Sequence, residues 1–131
     1  MDDIREIVAP DAPPPGGHYS QATSWNGLVF VSGQLPVLKA GDHSLAKASF
    51  EEQARCAFGN MLAVLDAAGA RPEDVLKVTV YIAEMADWPA CDAIFAELFG
   101  DARPARAIVP TQLLHYGYRI EVDAIARGAA A

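Results

Sequence analysis

Leu28-Val29-Phe30-Val31 places apolar side chains on both faces of one extended segment, because successive residues of a strand point to opposite sides. A strand of this kind has to be covered twice. The chain supplies only two amphipathic helical patterns, at residues 49–68 and 87–99, and two helices of this length cover one face of a sheet. The second face is then covered either by the sheet bending and closing on itself or by another copy of the subunit. With no spare helix in the chain, a homo-oligomer is expected.

The flanking sequence fixes where that strand begins. Asn26-Gly27 sits between Ser20–Trp25 and Leu28–Ser32, and Asn-Gly is suited to a two-residue hairpin turn whose central residues both need positive φ. Before it, residues 9–17 hold four prolines and end in Gly16-Gly17, which predicts a stiff extended loop delivering the chain to Tyr19. Ser49-Phe50-Glu51-Glu52 matches the Ser-x-x-Glu capping box, so a helix starts there. Its stripe is Ala54, Phe58, Met61, Leu62, Leu65 and Ala68, closed by Gly69. Val75–Ile82 is rich in β-branched residues and reads as a central strand. A second helix is expected to be capped by Asp87, to carry Pro89 in its first turn, and to bury Cys91, Ile94, Phe95, Leu98 and Phe99 before Gly100. Ala107–Val109 and Tyr118–Ala126 supply two closing strands.

At 131 residues and 52% apolar content, residues 1–131 suit one domain with its own core. Ten Lys and Arg against seventeen Asp and Glu give a net charge of −7 spread along the chain, which disfavours nucleic acid and anionic membrane surfaces as partners. No stretch has the length of a membrane span, and Met1–Pro10, with Asp2, Asp3 and Glu6, lacks the apolar centre of a signal peptide. A cytoplasmic protein is expected. Cys56 and Cys91 fall inside the helical patterns without paired spacing and read as reduced thiols, although a disulfide stays open.

Two charged positions stand out chemically. Arg106 opens an apolar strand just after Pro104, where a guanidinium needs a partner. That partner is either a neighbouring carboxylate in a structural ion pair or a ligand carboxylate held through two parallel hydrogen bonds. Glu121 alternates with apolar neighbours, sharing its side of the strand with Arg119, Asp123 and Ile125. It belongs either to a polar face neutralised by Arg119 and Asp123 or to a half-buried site where it positions or activates a water molecule. Tyr19 is a loop anchor or a hydroxyl hanging over a cleft, and Gly33, after Ser32, marks a bulge or a close backbone approach to a ligand. His18, His43 and His115 show no metal-ligand spacing, and no metal is assigned. Ser32-Gly33-Gln34 lacks the glycines of a nucleophile elbow, and phosphate-binding or dinucleotide glycine loops are missing.

Taken together, Tyr19-Ser20-Gln21-Ala22, Val31-Ser32-Gly33-Gln34, Asp87-Trp88, Arg103-Pro104-Ala105-Arg106 and Ile120–Ala126 resemble the signatures of the reactive intermediate deaminase (Rid) family, also called the YjgF family, over residues 5–127. The resemblance implies an α+β, chorismate-mutase-like fold, a mixed β-sheet with two helices packed on one face, assembled as a homotrimer with sites between subunits. It also implies hydrolysis of 2-aminoacrylate and related enamines or 2-imino acids to 2-oxo acids and ammonia, without a cofactor. By position, Arg106 corresponds to the carboxylate-binding arginine, Glu121 to the glutamate of the hydrolytic water, Tyr19 to the tyrosine lining the cleft, and Ser32-Gly33 to a segment whose backbone contacts ligand. Asp92 and Ile108 depart from the family's asparagine and cysteine and so bear on substrate choice, as do Gly17-His18-Tyr19 and His115–Tyr118 in place of the usual residues. A non-catalytic protein binding small carboxylates in the same cleft is the alternative. The ribonuclease activity attached to some relatives fits poorly with the charge.

Overall fold

A computed structural model describes residues 3–128 of the chain. Eight elements build it: β1 (Arg5–Ile7), β2 (Ala22–Trp25), β3 (Leu28–Gln34), α1 (Phe50–Ala67), β4 (Val75–Ile82), α2 (Trp88–Phe99), β5 (Ala105–Pro110) and β6 (Ile120–Arg127). The fold is mixed α+β, with a six-stranded sheet in the order β1-β2-β3-β6-β4-β5. All neighbours are antiparallel except β4 and β5, which run parallel across the α2 crossover, as parallel partners require a long connection.

Local chemistry explains most boundaries. Asn26 and Gly27 have φ of 54° and 81°, the pair of positive values that a type I′ hairpin needs, and Trp25 faces Leu28 across the turn. The Ser49 hydroxyl accepts a hydrogen bond from the Glu52 N–H at 3.2 Å, which satisfies one of the unpaired amides at the start of α1. Val75–Ile82 is a strand over its whole expected length, flanked by β6 and β5. Helix α1 packs on β3 and β6, and its Phe58 meets Phe95 of α2 edge-on at 5.8 Å between ring centres. Along β6, Ile120, Val122, Ala124 and Ala126 are buried on the helix-facing side, while Glu121, Asp123 and Ile125 alternate to the other face and are only partly buried. Phe30, opposite Ile125 on that second face, is 44% exposed.

Several expectations need correction. Asp87 stands at the start of α2 but makes no capping bond there; its carboxylate instead takes three hydrogen bonds from Arg119, at 2.8 to 3.2 Å. A bidentate guanidinium is the stronger partner for an ionised carboxylate than a neutral amide. Arg119 is thereby engaged by Asp87, and the charged groups that bear on Glu121 are Asp123 and His115 instead. Leu62, Ala68 and Leu98 are only partly buried, whereas the polar Gln53 and Asn60 are buried within α1. Gln53 accepts from the Arg119 N–H at 2.8 Å and donates to the Ala46 and Ala48 carbonyls. Asn60 donates to the carbonyls of Leu35 and Val37. Both amides tie the 35–48 loop or the approach to β6 onto the helix, supplying partners to backbone groups that would otherwise be buried without any.

The proline segment is less extended than expected, since Ala12 N–H turns back to the Ala9 carbonyl, and Gln21 clamps the segment through Ala9 and Pro13. With Gln21 so engaged, β2 starts at Ala22 rather than at Ser20. Cys56 and Cys91 are free thiols. Burial pushes the Cys91 thiol up to about 11, and Cys56 is raised by burial as well, so both resist ionisation at neutral pH.

Candidate functional site

The sheet carries two groups of expected site residues, one on each face. The first begins at an irregularity in β3. Val31 faces Ala124 and Gln34 faces Val122, so three steps along β3 answer two along β6, and a bulge falls at Ser32-Gly33. The Ser32 hydroxyl donates to the Ser20 carbonyl at 2.7 Å and the Ser32 N–H to the Gln21 carbonyl at 3.0 Å, which pins the bulge to the end of the proline segment. Gly33 is thereby pressed against Glu121. A Cβ built on Gly33 would overlap the Glu121 carboxylate oxygen Oε2 and lie 3.1 Å from its Cδ.

This packing gives Glu121 its chemistry. Burial, and then the negative charge of Asp123, raise its carboxyl above the ordinary glutamate range, while His115 pulls the other way. A carboxyl tuned upward is better matched to proton transfer near neutrality. Asp123 beside it is also raised by burial, and the Tyr81 hydroxyl lies 3.5 Å from its Oδ2.

Next to Gly33 a cavity of about 390 Å³ opens, bordered by Tyr19, Leu35, Val37, His43, His115 and Tyr116 among others. Tyr19 is half exposed, and its hydroxyl accepts from the Gly16 N–H at 3.1 Å. Part of the lining is aromatic. His43 and His115 stack on Tyr116 at 4.0 and 3.8 Å between ring centres, and His43 Nδ1 sits 2.8 Å from the hydroxyl of the buried Tyr118. Spacing along the sequence gave no sign of this column, because His43 lies far in sequence from the other rings; only the departure of His115–Tyr118 from the usual pattern pointed toward it.

The second group lies on the edge strand β5. Arg106 pairs in register with Val78 and Ile108 with Val80, two residues buried on the helix side, so both side chains share that face. Arg106 Nη1 donates to Asp92 Oδ1 of α2 at 2.8 Å, and its guanidinium carbon stands 4.8 Å above the Phe95 ring. Ile108 packs against the core. One bond to Asp92 uses one of five N–H donors, and the Arg106 side chain retains 23% exposure.

The structure therefore brings Gly33 and Glu121 into contact, with Ser32 and Tyr19 near them, and separately joins Arg106 to Asp92 with Ile108 alongside. Within one chain Arg106 and Glu121 do not meet: they project from opposite faces, with β4 between their strands. Among the described residues no group of three or more His, Cys, Asp and Glu side chains is arranged to hold a metal ion, and no helix is long and apolar enough to cross a membrane.

Residues 9–128, nearly the whole of this architecture, match the family model described as Endoribonuclease L-PSP. The chain belongs to that family. Its YjgF and Rid members share the fold seen here. A RutC family protein of Pyrococcus horikoshii is 39% identical over 125 residues, covering 94% of this chain and 98% of its own. The 2-iminobutanoate/2-iminopropanoate deaminase of Dermatophagoides farinae is 35% identical, covering 95% and 97%. Among solved structures, Escherichia coli TdcF with bound serine superposes with a TM-score of 0.88 at 29% identity, over 95% of this chain and 99% of that one. The L-PSP family thus includes deaminases.

Gly33 offers a direct test of how the carboxyl is held. Gly33→Ala is expected to push the Glu121 carboxylate aside rather than unfold the protein, because the clash is with the far end of a flexible side chain. The thermal midpoint should stay within a few degrees while the carboxylate shifts away from residue 33. A crystal structure of the variant with Glu121 unmoved would contradict this account.

Proposed function

We propose that this protein is a cofactor-independent imine/enamine deaminase, hydrolysing 2-imino acids of the 2-aminoacrylate type to 2-oxo acids and ammonia in clefts completed between copies of the chain. The observation that carries the reading is the division of the site residues: a carboxylate-binding cation, Arg106, at a sheet edge, and a half-buried, upshifted carboxyl, Glu121, against Gly33 on the other face. A second copy packed on the face that carries Phe30, Ile125 and Glu121 would bring its own β5 edge toward the first copy's Glu121. That arrangement also covers the half-exposed Phe30, in keeping with the homotrimers of the family. An imine deaminase and a serine-bound structure among the relatives accord with a small, carboxylate-bearing substrate.

The chemistry balances without further reagents. The Arg106 fork holds the carboxylate and leaves the protonated imine carbon facing Glu121. The ionised Glu121 takes a proton from water as its oxygen bonds to that carbon, and the C=N pair moves to nitrogen, giving a carbinolamine. Glu121 returns the proton to the nitrogen, the C–N bond breaks as an oxygen lone pair forms the carbonyl, and the departing ammonia takes the hydroxyl proton and leaves as ammonium, with Glu121 again ionised. A protonated imine is already an electrophile, so no cofactor is called for. In the alternative, the cleft would bind small carboxylates without turning them over.

Ammonia release from freshly generated 2-iminopropanoate decides between these, and mixed assemblies locate the site. Arg106→Ala and Glu121→Gln are each expected to retain about one per cent or less of the activity alone. Refolded together, they should regain activity, because some clefts then receive an intact arginine from one copy and an intact glutamate from the other. Mixed assemblies that form yet stay silent would refute the shared cleft, and tight oxo-acid binding without turnover by the unaltered protein would favour the binding reading.

A further inference from the structure

The aromatic wall of the cavity is built at a conformational cost. Tyr116 has φ 63° and ψ 10° and, with Asn26, is one of two non-glycine residues with positive φ among those described. A bulky residue in the left-handed region is disfavoured by about 1–2 kcal/mol, and such strain persists where the surroundings fix the conformation. Here the surroundings are rings. His43 and His115 each stack on Tyr116, so with two faces available they take one each. His43 is in turn fixed by Tyr118, whose hydroxyl it meets at 2.8 Å and whose side chain is buried. All three rings of the column border the cavity, and Tyr118 supports one of them; Leu35 and Val37 add apolar surface to its lining, and Gly33, which also borders it, lies against the Glu121 carboxylate.

A cavity of about 390 Å³ falls within the roughly 300–1,000 Å³ of clefts that enclose ligands well beyond three carbons. The methyl or methylene of a three-carbon imino acid would leave most of it to water. A planar apolar substituent carried on the imino acid would occupy it and meet the column at its edges, since both faces of Tyr116 are taken by the histidines, an edge contact that aromatic rings favour.

We propose that the His43–Tyr116–His115 column and the cavity beside it form a side-chain subsite that selects 2-imino acids bearing an aromatic ring. The inference rests on the deaminase reading above and specifies its substrate. Water adds to the imine carbon and ammonia departs as before; the ring takes no part in the bond changes and serves only to bind.

The test compares two imines made in place by D-amino-acid oxidase, 2-imino-3-phenylpropanoate from D-phenylalanine and 2-iminopropanoate from D-alanine, reading 2-oxo acid formation above the uncatalysed rate. The aromatic imine should be preferred in kcat/KM by about ten- to a hundredfold, the range expected from burying one ring in a matched pocket. Tyr116→Gly suits the left-handed backbone and so keeps the turn; it should cut that preference ratio at least about tenfold, while Tyr116→Phe should retain it. Equal or better turnover of the alanine-derived imine, or a ratio unmoved in Tyr116→Gly, would each overturn the subsite and leave the deaminase reading standing. Failure to accelerate any of these imines would end both.

Discussion

Replacing Arg106 with alanine should lower kcat/KM for 2-imino acids by about a hundred- to ten-thousand-fold. A carboxylate held by two charge-assisted hydrogen bonds draws about 1.5–3 kcal/mol from each, and every 1.4 kcal/mol is a factor of ten. Stability should hardly change, because the Arg106–Asp92 pair is partly exposed, with the Asp92 side chain 46% accessible, and such pairs contribute at most about 1 kcal/mol. Arg106→Lys keeps the charge but loses the planar fork, so it should recover only part of the activity. Steady-state ammonia release alongside a thermal melt separates these effects. A variant that melts early with its remaining folded fraction fully active would show that Arg106 serves the α2–β5 contact and nothing more.

The second large effect is expected at Glu121. Glu121→Gln preserves shape and removes the base, which should cost about 10²–10⁴ in kcat. Its signature lies in pH. The base works when ionised, so kcat/KM should fall as pH drops through the Glu121 value, and that acid limb should lie above the roughly 4.3 of a free glutamate because burial and Asp123 raise it. Glu121→Gln should abolish the limb. Stability moves in the opposite sense: a carboxyl raised in the folded state binds its proton more tightly there than when unfolded, so its contribution is full at low pH and is lost as pH rises through the folded value. Glu121→Gln should therefore flatten the pH dependence of unfolding over that window, leaving the share from Asp123, which is raised likewise. An acid limb of activity unchanged in the variant would assign the base elsewhere.

Some features of this fold could be read directly because they depend on local chemistry. Asn26-Gly27 demands positive φ at both residues, Ser49 offers a hydroxyl three residues before an unpaired amide, and β-branched Val75–Ile82 suits a pleated interior. The alternation along β6 placed Glu121 and Asp123 on the face away from the helices for the same reason. Where competition between partners decides, sequence is silent. Asp87 has a helix amide within its own segment, yet it goes to Arg119, brought from 32 residues away. Gln53 and Asn60 interrupt an apolar stripe because they serve the backbone of a loop that only the fold brings near. The three residues of β1 are too short and too polar for any periodicity to show, and they become a strand because β2 offers an unpaired edge. The same limit applies to the site: Arg106 and Glu121 could be singled out one by one, but which face each occupies depends on register, and register places them on opposite sides.

That two-sidedness changes what damage to one subunit means. If clefts form between neighbours, each subunit serves two of them, lending its guanidinium to one and its carboxyl to the next. A lesion at either position would then silence one junction and spare the other, so a ring carrying one kind of lesion would lose one junction per faulty chain, whereas an arginine lesion and a glutamate lesion that face each other would cost only one junction between them.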